Sequence, residues 1–248
     1  HLEDRNLLDK IDYERGVITL GGKEYEMLDI NFPTIDPKHP YALSKDEEEI
    51  MSRLESAFLN CEKLQDHMRF LLNKGGLYKV YNGNLLYHGC VPLKEDGTLK
   101  SVRLYGRSYK GKSLYEVLES YVRKGFYALN KKEKERGKDM MWYIWLSENS
   151  PLFGKDKMAT FERYFLAEKE THKEKKNPYY NLLENEKVIN MILKEFGLTE
   201  ESAHIINGHV PVKVITGESP IKCNGKVLVI DGGFSRAYQK QTGIAGYT

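Results

Sequence analysis

The stretch Asn84-Leu-Leu-Tyr-His88-Gly-Cys-Val-Pro92 decides the fold of this chain, together with a second one, Asn207-Gly-His-Val-Pro-Val-Lys213. Each pairs an apolar strand pattern with a histidine at its end, and small or turn-forming residues follow. The strand fixes the backbone, and the loop beyond it leaves the imidazole facing an open site. Either histidine alone is also explained as a polar residue at an element boundary. As a pair, His88 and His209 are predicted to be metal ligands.

A third strand pattern, Val227-Leu-Val-Ile, ends at Asp231 and two glycines. Asp231 has two interpretations: it accepts a hydrogen bond that orients His209, or it is an ordinary turn aspartate. A helix at 186–196, capped by Asn185 and closed by Gly197, precedes the strand that leads to His209. This strand–helix–strand order predicts an α/β fold with its site in loops at strand ends.

Local signals predict further elements upstream. Gly21-Gly22 separates two short strands within residues 17–28 and predicts a hairpin. Ser44 and Glu47 predict a capping box. It opens one long helix that ends at Lys74 and buries an apolar face, formed by Ile50, Leu54, Phe58, Cys61, Leu64, Met68 and Leu71. Ser113 and Glu116 predict the start of another helix, with a soft spot at Gly125. The charged segment 132–141 is expected to be a solvated helix face or loop.

The composition narrows the function classes. The 248 residues include 38 basic and 36 acidic ones, a balance that gives no case for nucleic acid or membrane as the main partner. The three cysteines are widely spaced, which favours reduced thiols over a disulfide framework. Cys90, beside the predicted site, is expected to be a packing residue. No run reaches the ~18 apolar residues of a membrane helix, so a soluble cytoplasmic protein is expected.

Four stretches, 142–165, 168–180, 204–213 and 230–248, resemble the class III fructose-1,6-bisphosphatases of Gram-positive bacteria, within the calcineurin-like metallophosphoesterases. The resemblance implies a mixed β-sandwich flanked by helices, with a helical insertion. It also implies a gluconeogenic hydrolase of fructose 1,6-bisphosphate with a dinuclear manganese site. In that site His88 and His209 would both bind the second ion.

The chain departs from this family pattern in one respect. The motifs D-x-H, G-D-x-x-D and G-N-H-[ED] that should precede the two histidines are absent. The nearest approaches, at Asp66-His67, Asp36–His39 and Gly83-Asn84, lack the required spacing. The chain is therefore interpreted as the C-terminal part of a longer protein, inactive without its N-terminal half. A homo-oligomer is also compatible with the sequence.

A doubly phosphorylated sugar needs cations for its second phosphate. The candidates lie close together in sequence: Lys155, Lys157, Arg163, Lys175 and Lys176. Structural salt bridges would explain the same residues.

Two other function classes compete with the phosphatase. Gly106-Arg-Ser-Tyr-Lys-Gly-Lys-Ser113 satisfies the expression for a phosphate-binding loop, and the strand before Asp231 would then act as its acidic partner. The half-polar strand before Gly106 and the capping role of Ser113 argue against nucleotide binding. A non-catalytic regulatory or assembly module is the third possibility, because half of a catalytic site is missing.

The sequence predicts four segments. They are a hairpin and linker (1–43), a core helix and strands carrying His88 (44–105), a mainly helical insertion (106–185) and a C-terminal core carrying His209 (186–248).

Overall fold

A computed structural model describes residues 2–247 and confirms a mixed α/β architecture. The chain forms two compact units, one from residues up to 75 together with 157–174, the other from 76–156 together with residues from 175 onward. The four segments predicted from the sequence are a different division and stay a prediction.

The first unit begins with a three-stranded antiparallel sheet of β1 (Ile11–Asp12), β2 (Val17–Leu20) and β3 (Lys23–Glu26). The predicted hairpin is confirmed, since Val17 pairs with Glu26 and Leu20 with Lys23. Its two turn residues, Gly21 and Gly22, have φ angles of +58° and +81°. Residues with a Cβ rarely adopt such angles, so the turn favours glycine at both positions.

The long helix predicted after Ser44 is instead two helices, α1 (Lys45–Leu59) and α2 (Glu62–Lys74). The capping box of Ser44 and Glu47 is confirmed. The prediction that this apolar face is buried in a core is wrong for α1, because α1 buries no residue and Phe58 is 62% exposed. Helical spacing shows that one face is apolar, but it does not show what covers that face.

The second unit contains seven strands among its described residues, numbered in chain order from β4 to β10. They are β4 (Tyr78–Tyr81), β5 (Asn84–Tyr87), β6 (Val102–Leu104), β7 (Arg107–Tyr109), β8 (His204–Asn207), β9 (Ile221–Lys222) and β10 (Val227–Val229). Five of them form one sheet in the order β4-β5-β8-β10-β9, and β6 pairs separately with β7. The three central strands β5, β8 and β10 run parallel, while the edge strands are antiparallel to their neighbours.

The helices of the second unit are α3 (Gly111–Tyr127), α4 (Lys131–Leu146), α6 (Glu186–Glu195) and α7 (Arg236–Thr242), whereas α5 (Thr160–Phe165) belongs to the first unit. Buried residues of α3 and α6 pack against one face of the five-stranded sheet. On the covered face Leu85, Ile205 and Val227 are 0% exposed and pack in one cluster with Ile189 and Ile192 of α6. The predicted α6, with its Asn185 cap, is confirmed.

The charged segment 132–141 lies within α4 rather than in a loop. Its charged side chains are exposed, but Gly137 and Met140 are buried. Gly137 lies directly against Gly125 of α3, where an added Cβ would overlap the Gly125 backbone. The supposed soft spot at Gly125 is therefore a close crossing of two helices.

The calcineurin-like sandwich stays an expectation, because residues 2–247 contain one five-stranded sheet and no second sheet of that size. No helix in this described part is long and apolar enough to cross a membrane.

Candidate metal centre

The sheet order brings the two predicted histidines together. His88 directly follows β5, and His209 follows the adjacent parallel strand β8 by two residues. Asp231 follows β10, which is the next parallel strand. Because the carboxyl ends of parallel strands meet at one edge, all three residues line a single cavity of about 440 Å³.

The two imidazoles are in direct contact. Nε2 of His88 lies 2.9 Å from Nδ1 of His209, and the ring planes are inclined at 64°. Two nitrogen ligands bound to one ion at about 2.1 Å and at right angles would lie about 3 Å apart. The spacing therefore fits two adjacent ligands of a single metal ion.

A backbone carbonyl fixes the orientation of the second ring. Nε2 of His209 lies 2.9 Å from the carbonyl oxygen of Phe153, which can only accept, so this nitrogen carries the hydrogen. Nδ1 of His209 then keeps its lone pair and accepts from Nε2 of His88. His209 is thus held in the tautomer whose Nδ1 lone pair is free to bind a metal ion. His88 can bind through Nε2 once the ring hydrogen is on its Nδ1 instead.

The surroundings favour neutral imidazoles. Partial burial lowers the pKa of His88, and the Asp231 carboxylate opposes this more weakly. Burial also lowers the pKa of His209, and a positive charge on His88 would lower it further. A lowered pKa favours the unprotonated ring, which is the form that binds metals.

Asp231 is not the acceptor for His209. Its Oδ1 accepts from the backbone N–H of Gly233 at 2.7 Å, a contact that favours the turn interpretation. Phe153 takes that role instead, and a backbone carbonyl distant in sequence leaves no signal in the residue pattern.

Asn207 is a site residue that the sequence interpretation missed. It is 2% exposed and lines the same cavity. Its Nδ2 donates to the carbonyl of Gly89 at 3.0 Å, whereas its buried Oδ1 has no hydrogen-bond partner among the described residues. The available signal in the sequence was a polar side chain at an inward position of an otherwise apolar strand. Buried polar groups normally have hydrogen-bond partners, so such a residue indicates a site.

Gly89 and Cys90 pack tightly behind the site. A Cβ on Gly89 would overlap the carbonyl oxygen of Pro151, which accepts from the Cys90 N–H at 2.9 Å. Cys90 is fully buried, and burial raises the pKa of its thiol to about 12. It is a packing residue rather than a nucleophile, as expected.

The donor set covers only part of a metal site. Residues 2–247 contain no group of three or more His, Cys, Asp or Glu side chains placed to hold an ion. The imidazole pair with its carbonyl-fixed ring fits one side of one ion. A complete dinuclear centre needs ligands from elsewhere.

Ion pairs hold several of the predicted substrate cations. Lys157 lies 3.4 Å from Glu162, Arg163 lies 2.9 Å from Glu174, and Lys175 lies 3.3 Å from Glu95. For these residues the alternative of structural salt bridges has support. The backbones of Lys155 and Lys176 pair in an isolated antiparallel bridge.

The competing phosphate loop has the wrong structure. Tyr105 and Gly106 form the turn of the β6–β7 hairpin, so a strand stands where the loop should be. Ser113 is not an N-cap: α3 begins two residues earlier, and the Ser113 hydroxyl bonds to the Lys110 backbone. The Glu195 carboxylate accepts from the Lys112 N–H at the end of α3 where a phosphate would bind. The geometry excludes nucleotide binding of this kind.

Parallel strands with an imidazole pair at their carboxyl ends define an α/β protein with a paired-histidine site. The chain belongs to the Firmicute fructose-1,6-bisphosphatase family, whose model matches residues 1–248.

Curated relatives agree with this assignment. The chain is 56% identical to the fructose-1,6-bisphosphatase class 3 of Alkaliphilus metalliredigens (strain QYMF) over 250 residues, covering 100% of the chain and 38% of that relative. It is 56% identical to the same-named protein of Clostridium botulinum (strain Alaska E43 / Type E3), covering 100% of the chain and 38% of that relative. For Clostridium novyi (strain NT) the identity is 55%, and the shares are 100% and 37%. The chain thus spans under two fifths of the length of these relatives. No solved structure matches it.

Proposed function

We propose that this chain is part of a fructose-1,6-bisphosphatase that releases the 1-phosphate of fructose 1,6-bisphosphate. The family match along the chain and the names of its relatives support the activity. The observation that carries the site assignment is the 2.9 Å approach of the His88 and His209 nitrogens. In this proposal the chain contributes both imidazoles to one metal ion of a dinuclear centre.

We propose manganese as the metal. When bound, a pair of divalent ions lowers the pKa of a water molecule and offsets the negative charge of the phosphoryl oxygens. His88 and His209 bind and position one ion, and the Phe153 carbonyl holds the second ring in place. Manganese prefers oxygen ligands, so two imidazoles alone hold it weakly. The chain by itself is therefore expected to be inactive.

The remaining ligands come from the part of the longer protein that lies outside these 248 residues. The uncovered face of the sheet supports this proposal. A single row of side chains crosses that face in register: Lys79, Leu86, Ile206, Leu228 and Ile221. Leu86, Ile206 and Leu228 are half-buried, and Ile221 is 57% exposed. Sheets with parallel strands normally have both faces covered, so an apolar row of this length needs a partner.

This face is continuous with the site. Leu86 and Ile206 line the same cavity as His88 and His209. A segment that covers the apolar row would therefore also deliver side chains to the imidazole pair. We assign this surface, the open sheet face, to the rest of the longer protein.

A chimera tests the proposed function. This chain replaces the matching segment of the Alkaliphilus metalliredigens relative, and phosphate release from fructose 1,6-bisphosphate is measured with manganese. The chimera should be active and the isolated chain inactive. His88→Ala or His209→Ala in the chimera should lower kcat/KM by several orders of magnitude, because each removes a ligand.

His204→Ala is the matched control, since His204 is an exposed histidine at the start of β8. It should leave activity nearly unchanged. Robust activity of the isolated chain after metal replenishment would show that no outside ligands are needed. If His88→Ala and His209→Ala keep the same activity as His204→Ala, the assignment of His88 and His209 as metal ligands is wrong. This chain would then be better interpreted as a non-catalytic module of the longer protein.

A further inference from the structure

The chain leaves regular strand geometry at His88. The carbonyl oxygen of His88 accepts from the Gly208 N–H at 2.9 Å. The next carbonyl, that of Gly89, accepts from Nδ2 of Asn207 at 3.0 Å. In a regular strand only alternate carbonyls face the same neighbour. Two consecutive carbonyls that both bond to the end of β8 therefore show that the chain turns toward β8 at His88.

Asn207 is anchored so that its side chain can hold this turn. It is the last residue of β8 and lies between Tyr87 and Val229 in the sheet register. Its own carbonyl accepts from the Ile230 N–H at 2.8 Å, just beyond β10. The backbone of Asn207 is thus fixed by the central strands, and its amide keeps the Gly89 carbonyl at a set distance from β8.

The backbone at His209 is strained. Its φ angle is +67°, in the left-handed region that residues with a Cβ rarely adopt and that persists only where the surroundings hold it. The Val210 N–H donates to the Gly208 carbonyl at 2.8 Å, and the ring is held by the Phe153 carbonyl. Because Gly208 also donates to His88, one hydrogen-bonded segment sets the positions of both imidazoles.

Burial alone does not favour asparagine at position 207. Its Oδ1 is buried and has no hydrogen-bond partner among the described residues, which costs stability. Tyr87 and Val229, its neighbours in register, belong to the apolar cluster of the core. A leucine has the same branched shape and would place no unpaired oxygen there. What the asparagine adds at this position is the Nδ2 donor to Gly89.

We propose that Asn207 is a positioning residue, whose Nδ2 holds the turn after β5 so that Nε2 of His88 meets Nδ1 of His209 before a metal ion binds. Without this donor the Gly89 carbonyl must find another partner, the turn relaxes, and His88 moves away from His209. Ligands that are already in place bind an ion more tightly, because less order has to be imposed on binding. The use of the pair in a phosphatase rests on the proposed function, whereas the contact between the rings does not.

Asn207→Leu tests this role in the metal-free chain. Cross-relaxation between ring protons of His88 and His209, whose ring centroids lie 4.8 Å apart, is measured by NMR. It should be present in the unsubstituted protein and lost in the variant. The unfolding temperature should change little, because removing the unpaired Oδ1 offsets the lost hydrogen bond. Asn207→Ser, whose hydroxyl is too short to reach the Gly89 carbonyl, should show the same loss if leucine does not fit.

Asn185→Ala is the matched control, because it removes an asparagine with a purely structural role. Asn185 caps α6, where its Oδ1 accepts from the Val188 N–H at 3.3 Å. This variant should lower the unfolding temperature and leave the contact between the two rings unchanged. Absence of the ring contact in the unsubstituted protein, or its persistence in both Asn207 variants, would overturn the proposal.

Zinc provides the second measurement, since it binds imidazole nitrogen well. It is titrated into the 248-residue protein and followed through the ring signals of His88 and His209. Binding should be weaker by about tenfold or more in Asn207→Leu and unchanged in Asn185→Ala. Equal affinity in Asn207→Leu and the unsubstituted protein would show that Asn207 does not position the pair. Neither measurement needs catalytic activity, so an inactive chimera would count against the proposed function alone.

Discussion

At the scale of single residues, Glu162 is a buried charged residue of the first unit. Its side chain is 0% exposed and lies 2.7 Å from Arg5, with Lys157 at 3.4 Å. Burial by itself would raise the pKa of this carboxyl, but the hydrogen bond from Arg5, a backbone hydrogen bond and the charges of Arg5 and Lys157 together keep the pKa below its ordinary value of 4.5. Glu162→Gln leaves two partly buried cations without their anion and should lower the free energy of unfolding by about 3 kcal/mol.

The pH dependence follows from the sign of that shift. A lowered folded-state pKa gives stability that is present above the ordinary value and is lost as pH falls through the folded value. The free energy of unfolding of the unsubstituted protein and of Glu162→Gln is measured with urea at several pH values. The difference between the two should be largest at neutral pH and should become smaller in acid. Glu170→Gln, at an exposed pair with Lys23, is the control and should leave the stability nearly unchanged, because water screens exposed ion pairs. A gap that grows in acid would contradict the assignment.

At the scale of elements, the crossing of α3 and α4 depends on two glycines. A Cβ on Gly137 would overlap backbone atoms of Gly125, whereas one on Gly125 would lie 3.0 Å from the Gly137 carbonyl carbon and 3.1 Å from Sδ of Met141. Gly137→Ala should destabilise the protein by about 2–3 kcal/mol, despite the better helix propensity of alanine. Gly125→Ala should cost less, because the methionine can move.

Thermal unfolding of both variants checks this order, with Lys134→Ala on the exposed side of α4 as the control. Stabilisation by Gly137→Ala would mean that the helices are not packed this closely.

At the scale of the whole molecule, the open sheet face predicts an association. Leu228→Glu places a charge in the apolar row and should weaken binding of this chain to the separately produced remainder of a curated relative by about tenfold or more. Circular dichroism should show an unchanged fold, since Leu228 is only half-buried. Sedimentation or titration calorimetry measures the affinity.

Ile50→Glu is the control variant. Ile50 is 56% exposed on α1, and α1 belongs to the first unit, whereas the five-stranded sheet belongs to the second. This variant should bind as the unsubstituted chain does. If Leu228→Glu binds equally well, the open sheet face is not the docking surface. If the unsubstituted chain does not bind the remainder, the assignment of this partner is wrong.

The sequence by itself determined the features whose cause is local. The Gly21-Gly22 turn, the caps at Ser44 and Asn185 and the strands that end before His88 and His209 all depend on neighbours within a few residues. Such signals are set by backbone conformation and nearby hydrogen bonds, so they can be recognised in a single chain.

Only the tertiary structure decided what depends on residues far apart in the chain. It made the Phe153 carbonyl, rather than Asp231, the hydrogen-bond partner of His209, and it placed Lys175 in an ion pair with Glu95. It also left the apolar face of α1 exposed, although its spacing resembles that of a core helix. The spacing of apolar residues and the residue types indicate which faces need to be covered and which polar groups need a hydrogen-bond partner. Which group meets that need is fixed by the sheet order and the packing, because these bring together residues more than 50 positions apart.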